Sequence, residues 1–211
     1  MPADTLLIVF GAGGHGRVVA DAALASGAWR GVVAADRDAA LWGGELLPGV
    51  PVLAPAALTD LRGPLAVHVA IGDNANRRGE AQAWAALGPL ASVVHPSAAV
   101  ATSAEIGAGC LLAANCVVAP LARLGAGVIV NHGAIVDHDC GVDPWTHIAP
   151  GARLGGAVRV GESALLGSGC TVLAGLRVGA GAVLGAGAVA TRDVPDAQCW
   201  AGVPAAPLRR R

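Results

Sequence analysis

Aliphatic residues recur at every sixth position through the second half of the chain. Read from Val94, they are Val94, Val100, Ile106, Leu112, Val118, Leu124, Val130, Val136, Val142, Ile148, Leu154, Val160, Leu166, Val172, Val178 and Leu184. Four places after each stands Ala, Cys, Val or Thr, with Leu176 the exception. Gly often follows the aliphatic directly, as at Gly107, Gly125, Gly155, Gly161, Gly167, Gly179 and Gly185. A helix repeats its buried face every 3.6 residues and a strand every 2, so neither produces this pattern. A short strand plus a turn does. One large side chain points inward, a small one fills the corner, and Gly or Asn tolerates the backbone angles of the turn. Three such units close a triangular coil, and the sixteen hexads give a little over five coils. The pattern therefore predicts a parallel β-helix over 94–189, followed by a C-terminal tail over 190–211.

One inward residue per hexad cannot sustain the fold alone. Each buried aliphatic contributes roughly 1.5–3 kcal/mol, whereas ordering the backbone costs about 1–2 kcal/mol per residue. Ladder hydrogen bonds, capped ends and association of flat faces must supply the rest, so an oligomer is expected.

Residues 1–93 lack the period and alternate apolar runs with helical patterns. Strands are predicted at Leu6–Phe10, Val32–Ala35, Leu65–Ile71 and Leu90–Val93, and helices at Arg17–Ala25 and Asn76–Leu87. This order makes a small parallel α/β sheet, a Rossmann-like domain. The first strand is followed by Gly11-Ala12-Gly13-Gly14-His15-Gly16, which fits Gly-x-Gly-x-x-Gly, and Asp36 ends the second strand. Glycines let a backbone approach a phosphate, a helix N-terminus favours an anion, and an acidic residue at this distance can bind ribose hydroxyls. Fewer than a hundred residues precede the repeat, too few for a complete dinucleotide-binding domain. A single nucleotide or nucleotide sugar fits better, with Ile71-Gly72-Asp73-Asn74 at the same carboxyl edge of the sheet. Simple tight packing of strand on helix is the alternative for the glycine loop.

Composition narrows the class. Net charge is -1 and the basic residues are scattered apart from Arg209, Arg210 and Arg211, which argues against nucleic acid as a partner. Mean hydropathy is high at +0.58, yet Gly, Pro, Asn or charged residues interrupt every apolar run before it could span a bilayer. The short apolar stretch at Leu6–Phe10 is no signal peptide, and a soluble, cytoplasmic protein without membrane insertion is expected. The five cysteines form no Cys-x-x-Cys pair. Cys110, Cys116, Cys140 and Cys170 fall on the small fourth-offset position and read as buried hydrophobes. His68 lies in an apolar strand and His95 in a His-Pro junction, so neither is given a chemical role.

Gly11–Gly16, Ile71-Gly72-Asp73-Asn74, Val94-His95-Pro96-Ser97 and Val136-Asp137-His138-Asp139-Cys140 together carry a family likeness. The chain resembles the bacterial sugar acetyltransferases that include the bacillosamine-pathway and perosamine N-acetyltransferases and the sialic acid O-acetyltransferases. The likeness runs nearly end to end. It implies a left-handed β-helix, a homotrimer with active sites between subunits, acetyl-CoA as co-substrate lying along the helix, no metal, and a nucleotide-linked amino sugar held by the N-terminal domain. By the same resemblance His138 is the catalytic base and Asp139 the acidic residue that raises its basicity. His147 falls on a position that contacts acetyl-CoA, with Gly156, Ser168 and Ala186 near others used for the coenzyme. Gly13, Gly14, His15, Ala35, Asp36 and Gly72 match sugar-nucleotide contacts. Two departures stand out. His132 replaces a frequent Thr one hexad before His138, and Ala206 replaces a basic residue after Gly202-Val203-Pro204-Ala205, a loss for which Arg209–Arg211 could substitute.

Acyl transfer to an amine or alcohol needs a base, and histidine has a suitable pKa at neutral pH. Direct transfer in a ternary complex is expected, with His138 as base and backbone N–H groups or His147 stabilising the oxyanion. His138 and His147 are half a coil apart, so a site using both lies between subunits. Three alternatives remain open: O-acetylation of a sugar such as sialic acid, a zinc site built from His132, His138 and His147, and a non-catalytic nucleotide-sugar-binding scaffold. Neither the sugar nor its nucleotide carrier is legible.

Overall fold

The structure, a computed structural model, describes residues 4–208. The chain divides into two units, one ending at Pro96 and the other beginning at Ser97.

The first unit is a five-stranded sheet. β1 (Leu6–Phe10) lies between β2 (Gly31–Ala35) and β5 (Leu65–Val69), both parallel to it. β4 (Val50–Leu53) extends the sheet beyond β2 in parallel, and β3 (Glu45–Leu47) closes that edge antiparallel. α1 (Gly14–Ser26) follows β1 and stops at Gly27, whose φ of 61° is a left-handed cap. α2 (Asn74–Ala83) follows β5, with the Asp73 side chain capping its first turn by accepting from Asn76 N–H at 2.8 Å. Leu7, Ile8, Val19, Ala34 and Val67 form the fully buried centre.

The predicted elements are recovered with shifts. α1 starts three residues before Arg17, because the glycine loop feeds straight into the helix. The predicted strand Leu90–Val93 reduces to a single bridge from Leu90 to Val67 and a two-residue strand at Val93–Val94. β3 and β4 were not predicted: they are three and four residues long, with Pro51 on the exposed side. The last helix gives way at Trp84 to turn-type i→i−3 bonds rather than running to Leu87.

The second unit is a left-handed parallel β-helix. Its two-residue strands from Val93–Val94 to Val183–Leu184 each end on a residue of the six-period aliphatic series, and those up to Thr171–Val172 each pair with the strand eighteen residues on. The first face includes Val117–Val118, Ile135–Val136 and Arg153–Leu154. The second includes Arg123–Leu124, Gly141–Val142 and Arg159–Val160, and the third Ile129–Val130, His147–Ile148 and Leu165–Leu166. Aliphatics from Leu112 onward are buried, whereas Val100 in the first coil is 36% exposed. Cys110, Cys116, Cys140 and Cys170 are buried as small core residues, and the thiols of Cys116 and Cys170 are pushed up to about 12 by desolvation. Trp200, in the strand Cys199–Ala201, covers the far end, with the Arg192 guanidinium 5.0 Å above its ring.

Glycines directly after the aliphatics serve a purpose other than the predicted turn angles. A Cβ on Gly161 would stand 2.5 Å from Ala180 N in the next coil, so these glycines allow coils to stack. The left-handed turn residues sit two places further on, at Gly109, Asn115, Gly127, Gly133 and Asp139 among others.

Candidate active site

His138 and Asp139 occupy the corner between the first and second faces. Asp139 takes the left-handed turn position with φ 59°, and its carboxylate Oδ2 meets His138 Nδ1 at 2.8 Å. A carboxylate only accepts, so Nδ1 carries the proton and Nε2 keeps its lone pair. The backbone N–H of His138 donates to Asp137 Oδ1 at 2.7 Å. The Asp139 hydrogen bond, and then the charge of Asp137, hold the His138 pKa above the usual 6.5. The imidazole is exposed, and a Cβ at Gly156, one coil on, would stand 2.5 Å from Nε2. Gly156, expected near the coenzyme, thus makes room for the His138 ring.

A shallow hollow of about 550 Å³ runs along the second face beside this corner, with Asp139, Gly141, Arg123 and Arg159 in its wall. Cys140 points the other way: it is buried, its thiol donates to Gly155 O at 3.2 Å, and desolvation raises its pKa. These properties disfavour a thiolate nucleophile.

His147 lies on the third face, half-buried, its Nε2 3.2 Å from Asn131 Nδ2. Ser168 and Ala186 stack at the corner after that face, in the same column as His132. Within one chain, therefore, the candidate coenzyme residues other than Gly156 are on a different side of the prism from His138. His132, His138 and His147 occupy three separate places, and among the described residues no group of three or more His, Cys, Asp or Glu side chains could hold a metal ion. Arg209–Arg211 lie outside the described residues.

In the first unit a hollow of about 340 Å³ opens at the carboxyl edge of the sheet, lined in part by Gly13, Gly14, His15, Asp36, Gly72 and Glu80. Gly11 and Gly16 are packed tightly: a Cβ on Gly16 would fall 2.0 Å from Gly11 O, and one on Gly11 would fall 2.8 Å from Ala70 O. Gly13 and Gly14 instead face open space, with nothing within 4 Å of a built Cβ. The glycine motif is thus half packing and half approach, beside the N-terminus of α1. Asp36 is less free than its spacing implied. Oδ2 accepts from Ala12 N–H at 2.7 Å and Oδ1 from Asp38 N–H at 2.9 Å. A carboxylate has about four acceptor sites, so both oxygens keep capacity for a hydroxyl. Ala35, also expected among the contacts, is fully buried behind the lining of the hollow, and its carbonyl accepts from Gly11 N–H at 2.8 Å.

Several residues were missed by sequence reasoning. Arg37 and Glu80 pair bidentately at 2.8 and 2.9 Å and form one wall of the hollow, with Trp84 Nε1 also donating to Glu80 at 3.0 Å. Buried Arg77 donates to the carbonyls of Ile71 and Gly72, shaping the loop after β5. These contacts join residues up to 43 apart, and no local motif signals them.

Comparison with known proteins locates this pair of units. Residues 6–83 match the PglD N-terminal domain. The acetyltransferase domain of PglB from Neisseria gonorrhoeae is 41% identical over 96% of this chain and 99% of that one, with a TM-score of 0.89. The chain belongs to the bacterial hexapeptide-repeat sugar acetyltransferases. The same PglB domain in complex with acetyl coenzyme A superposes with a TM-score of 0.91, at 41% identity over 97% of this chain and all of that one. PerB from Caulobacter crescentus, in complex with CoA and GDP-perosamine, is 37% identical over 96% of this chain and 97% of that one, with a TM-score of 0.88. No match was found among curated proteins. No helix among the described residues of this acetyltransferase family member is long and apolar enough to cross a membrane.

Proposed function

We propose that this protein transfers the acetyl group of acetyl-CoA to the amino group of a nucleotide-linked amino sugar, with His138 as general base. The observation that carries the reading is the His138–Asp139 pair at 2.8 Å, with Nε2 left available over Gly156. The relatives support an amine acceptor, one being a perosamine N-acetyltransferase in complex with CoA and GDP-perosamine. The glycine loop, Asp36 and the loop after β5 hold the nucleotide part.

In the reaction, His138 Nε2 removes the proton from the amine as its nitrogen bonds to the thioester carbonyl carbon. The carbon–sulfur bond then breaks, and the imidazolium returns its proton to the departing thiolate. Asp139 keeps Nδ1 protonated throughout and favours the imidazolium formed at the first step. Backbone N–H groups or His147 stabilise the oxyanion. Because His138 and His147 lie on different sides of the prism, a site that uses both takes them from two copies, which fits a homotrimer.

Thiol release from acetyl-CoA across a panel of nucleotide-linked amino sugars tests the substrate class. Release that does not depend on the amino sugar would overturn it. His138→Ala is expected to lower kcat by about 10²- to 10⁴-fold, and near-full activity would remove His138 from the role. Since the base must be neutral and its pKa is raised, the acid limb of kcat/KM should have its midpoint above 6.5.

A further inference from the structure

On the second face the strand register stacks Glu105, Arg123, Gly141, Arg159 and Arg177 in one outward column. Gly141, two residues beyond Asp139, is the one member without a side chain. A Cβ there would stand 3.2 Å from Arg159 Cδ and 3.6 Å from Nε and Nη1. The Arg159 side chain therefore lies flat across the glycine, and its Nη1 donates to the Asp139 carbonyl oxygen. Its column neighbours are engaged elsewhere, Arg123 with Glu105 at 3.4 Å and Arg177 with Asp196 at 4.0 Å.

The turn that receives this bond matters. Asp139 is not a glycine, yet it holds φ 59°, in the left-handed region that Asp and Asn enter more readily than other side chains because they can hydrogen-bond locally. From that turn its carboxylate reaches the preceding side chain, His138. The ladder fixes part of the corner, with Asp139 N–H donating to Pro120 O at 3.1 Å and His138 O accepting from Ala157 N–H at 2.8 Å. The Asp139 carbonyl is fixed by a side chain from the next coil. We infer that Arg159 is a positioning residue for the acid–base pair, clamping the Asp139 carbonyl across Gly141 so that the Asp139 carboxylate stays aligned on His138.

This inference rests on the reading of His138 as base, and its test separates the two. In the full chain, Arg159→Gln is expected to lower kcat about 10- to 100-fold, the scale of a misaligned catalytic group, with little change in KM for either substrate. The second readout is the imidazole titration of His138 by nitrogen NMR. Removing a nearby cation alone would raise that midpoint, whereas loss of the Asp139 hydrogen bond lowers it; a downward shift is expected. Arg159→Lys, which keeps a cationic donor, should recover part of both, and Arg177→Gln should leave both unchanged. Unchanged kcat in Arg159→Gln, or a midpoint that stays or moves up, would overturn the inference even if His138→Ala is inactive. If His138→Ala stays active while the midpoint still falls in Arg159→Gln, the catalytic reading fails and the alignment of Asp139 by Arg159 stands.

Discussion

A single absent methyl group at Gly156 sets where the His138 ring can lie. A Cβ there would come within 2.6 Å of both Nε2 and Cε1, but the ring is the far end of an exposed side chain and can swing aside with little structural cost. Gly156→Ala should therefore lower kcat clearly while leaving the melting temperature nearly unchanged, as turnover and differential scanning fluorimetry on one preparation will report. A large loss of stability would show instead that Gly156 is needed by the backbone. At this scale the sequence was informative where chemistry is local. Asp137, His138 and Asp139 stand side by side, and a histidine between carboxylates is visible in one hexad. Arg159 was not visible, because its contact with Asp139 exists only once the eighteen-residue coil stacks it on Gly141. Asp36 was visible but its duties were incomplete: the loop it clamps through Ala12 and Asp38 emerges only from the fold.

Among the elements, two kinds of glycine alternate along the coils and should respond differently to the same change. Gly161 has an ordinary φ, yet a Cβ would strike Ala180 N at 2.5 Å and Gly179 C at 2.9 Å, backbone atoms that cannot step aside. Gly133 has φ 62° but open space around it. Gly133→Ala should cost about 1–2 kcal/mol, the left-handed penalty. Gly161→Ala forces two coils apart and should reach or exceed the top of the roughly 1–3 kcal/mol range for overpacking. Chemical denaturation of both variants checks the order, and equal losses would mean that coils slip past the clash. The six-residue period disclosed the inward positions because a repeated coil must place an aliphatic at the same point each time. It could not separate stacking glycines from turn glycines, since both recur with that period. β3 and β4 escaped notice because strands of three and four residues, one containing Pro51, are too short to establish an alternation.

At the level of the whole molecule, the proposed function gives nucleotide recognition and proton transfer to separate units, so the two should be separable by mutation. Gly14 is the first residue of α1, lines the hollow at the sheet edge, and has nothing within 4 Å of a built Cβ. Leucine is a better helix former than glycine, and the open space around Gly14 leaves room for its side chain. Gly14→Leu should therefore fold at least as well as the parent while its side chain enters the space into which a phosphate would fit. If the first unit only packs the glycine loop, the variant will show unchanged kinetics. If it holds the nucleotide, KM for the nucleotide sugar should rise about tenfold or more, equivalent to roughly 1.4 kcal/mol of lost binding. KM for acetyl-CoA and kcat at saturating sugar should change little, because His138, Asp139 and Gly156 are untouched. A fall in kcat with KM unchanged would contradict this division and place the glycine loop in the chemical step.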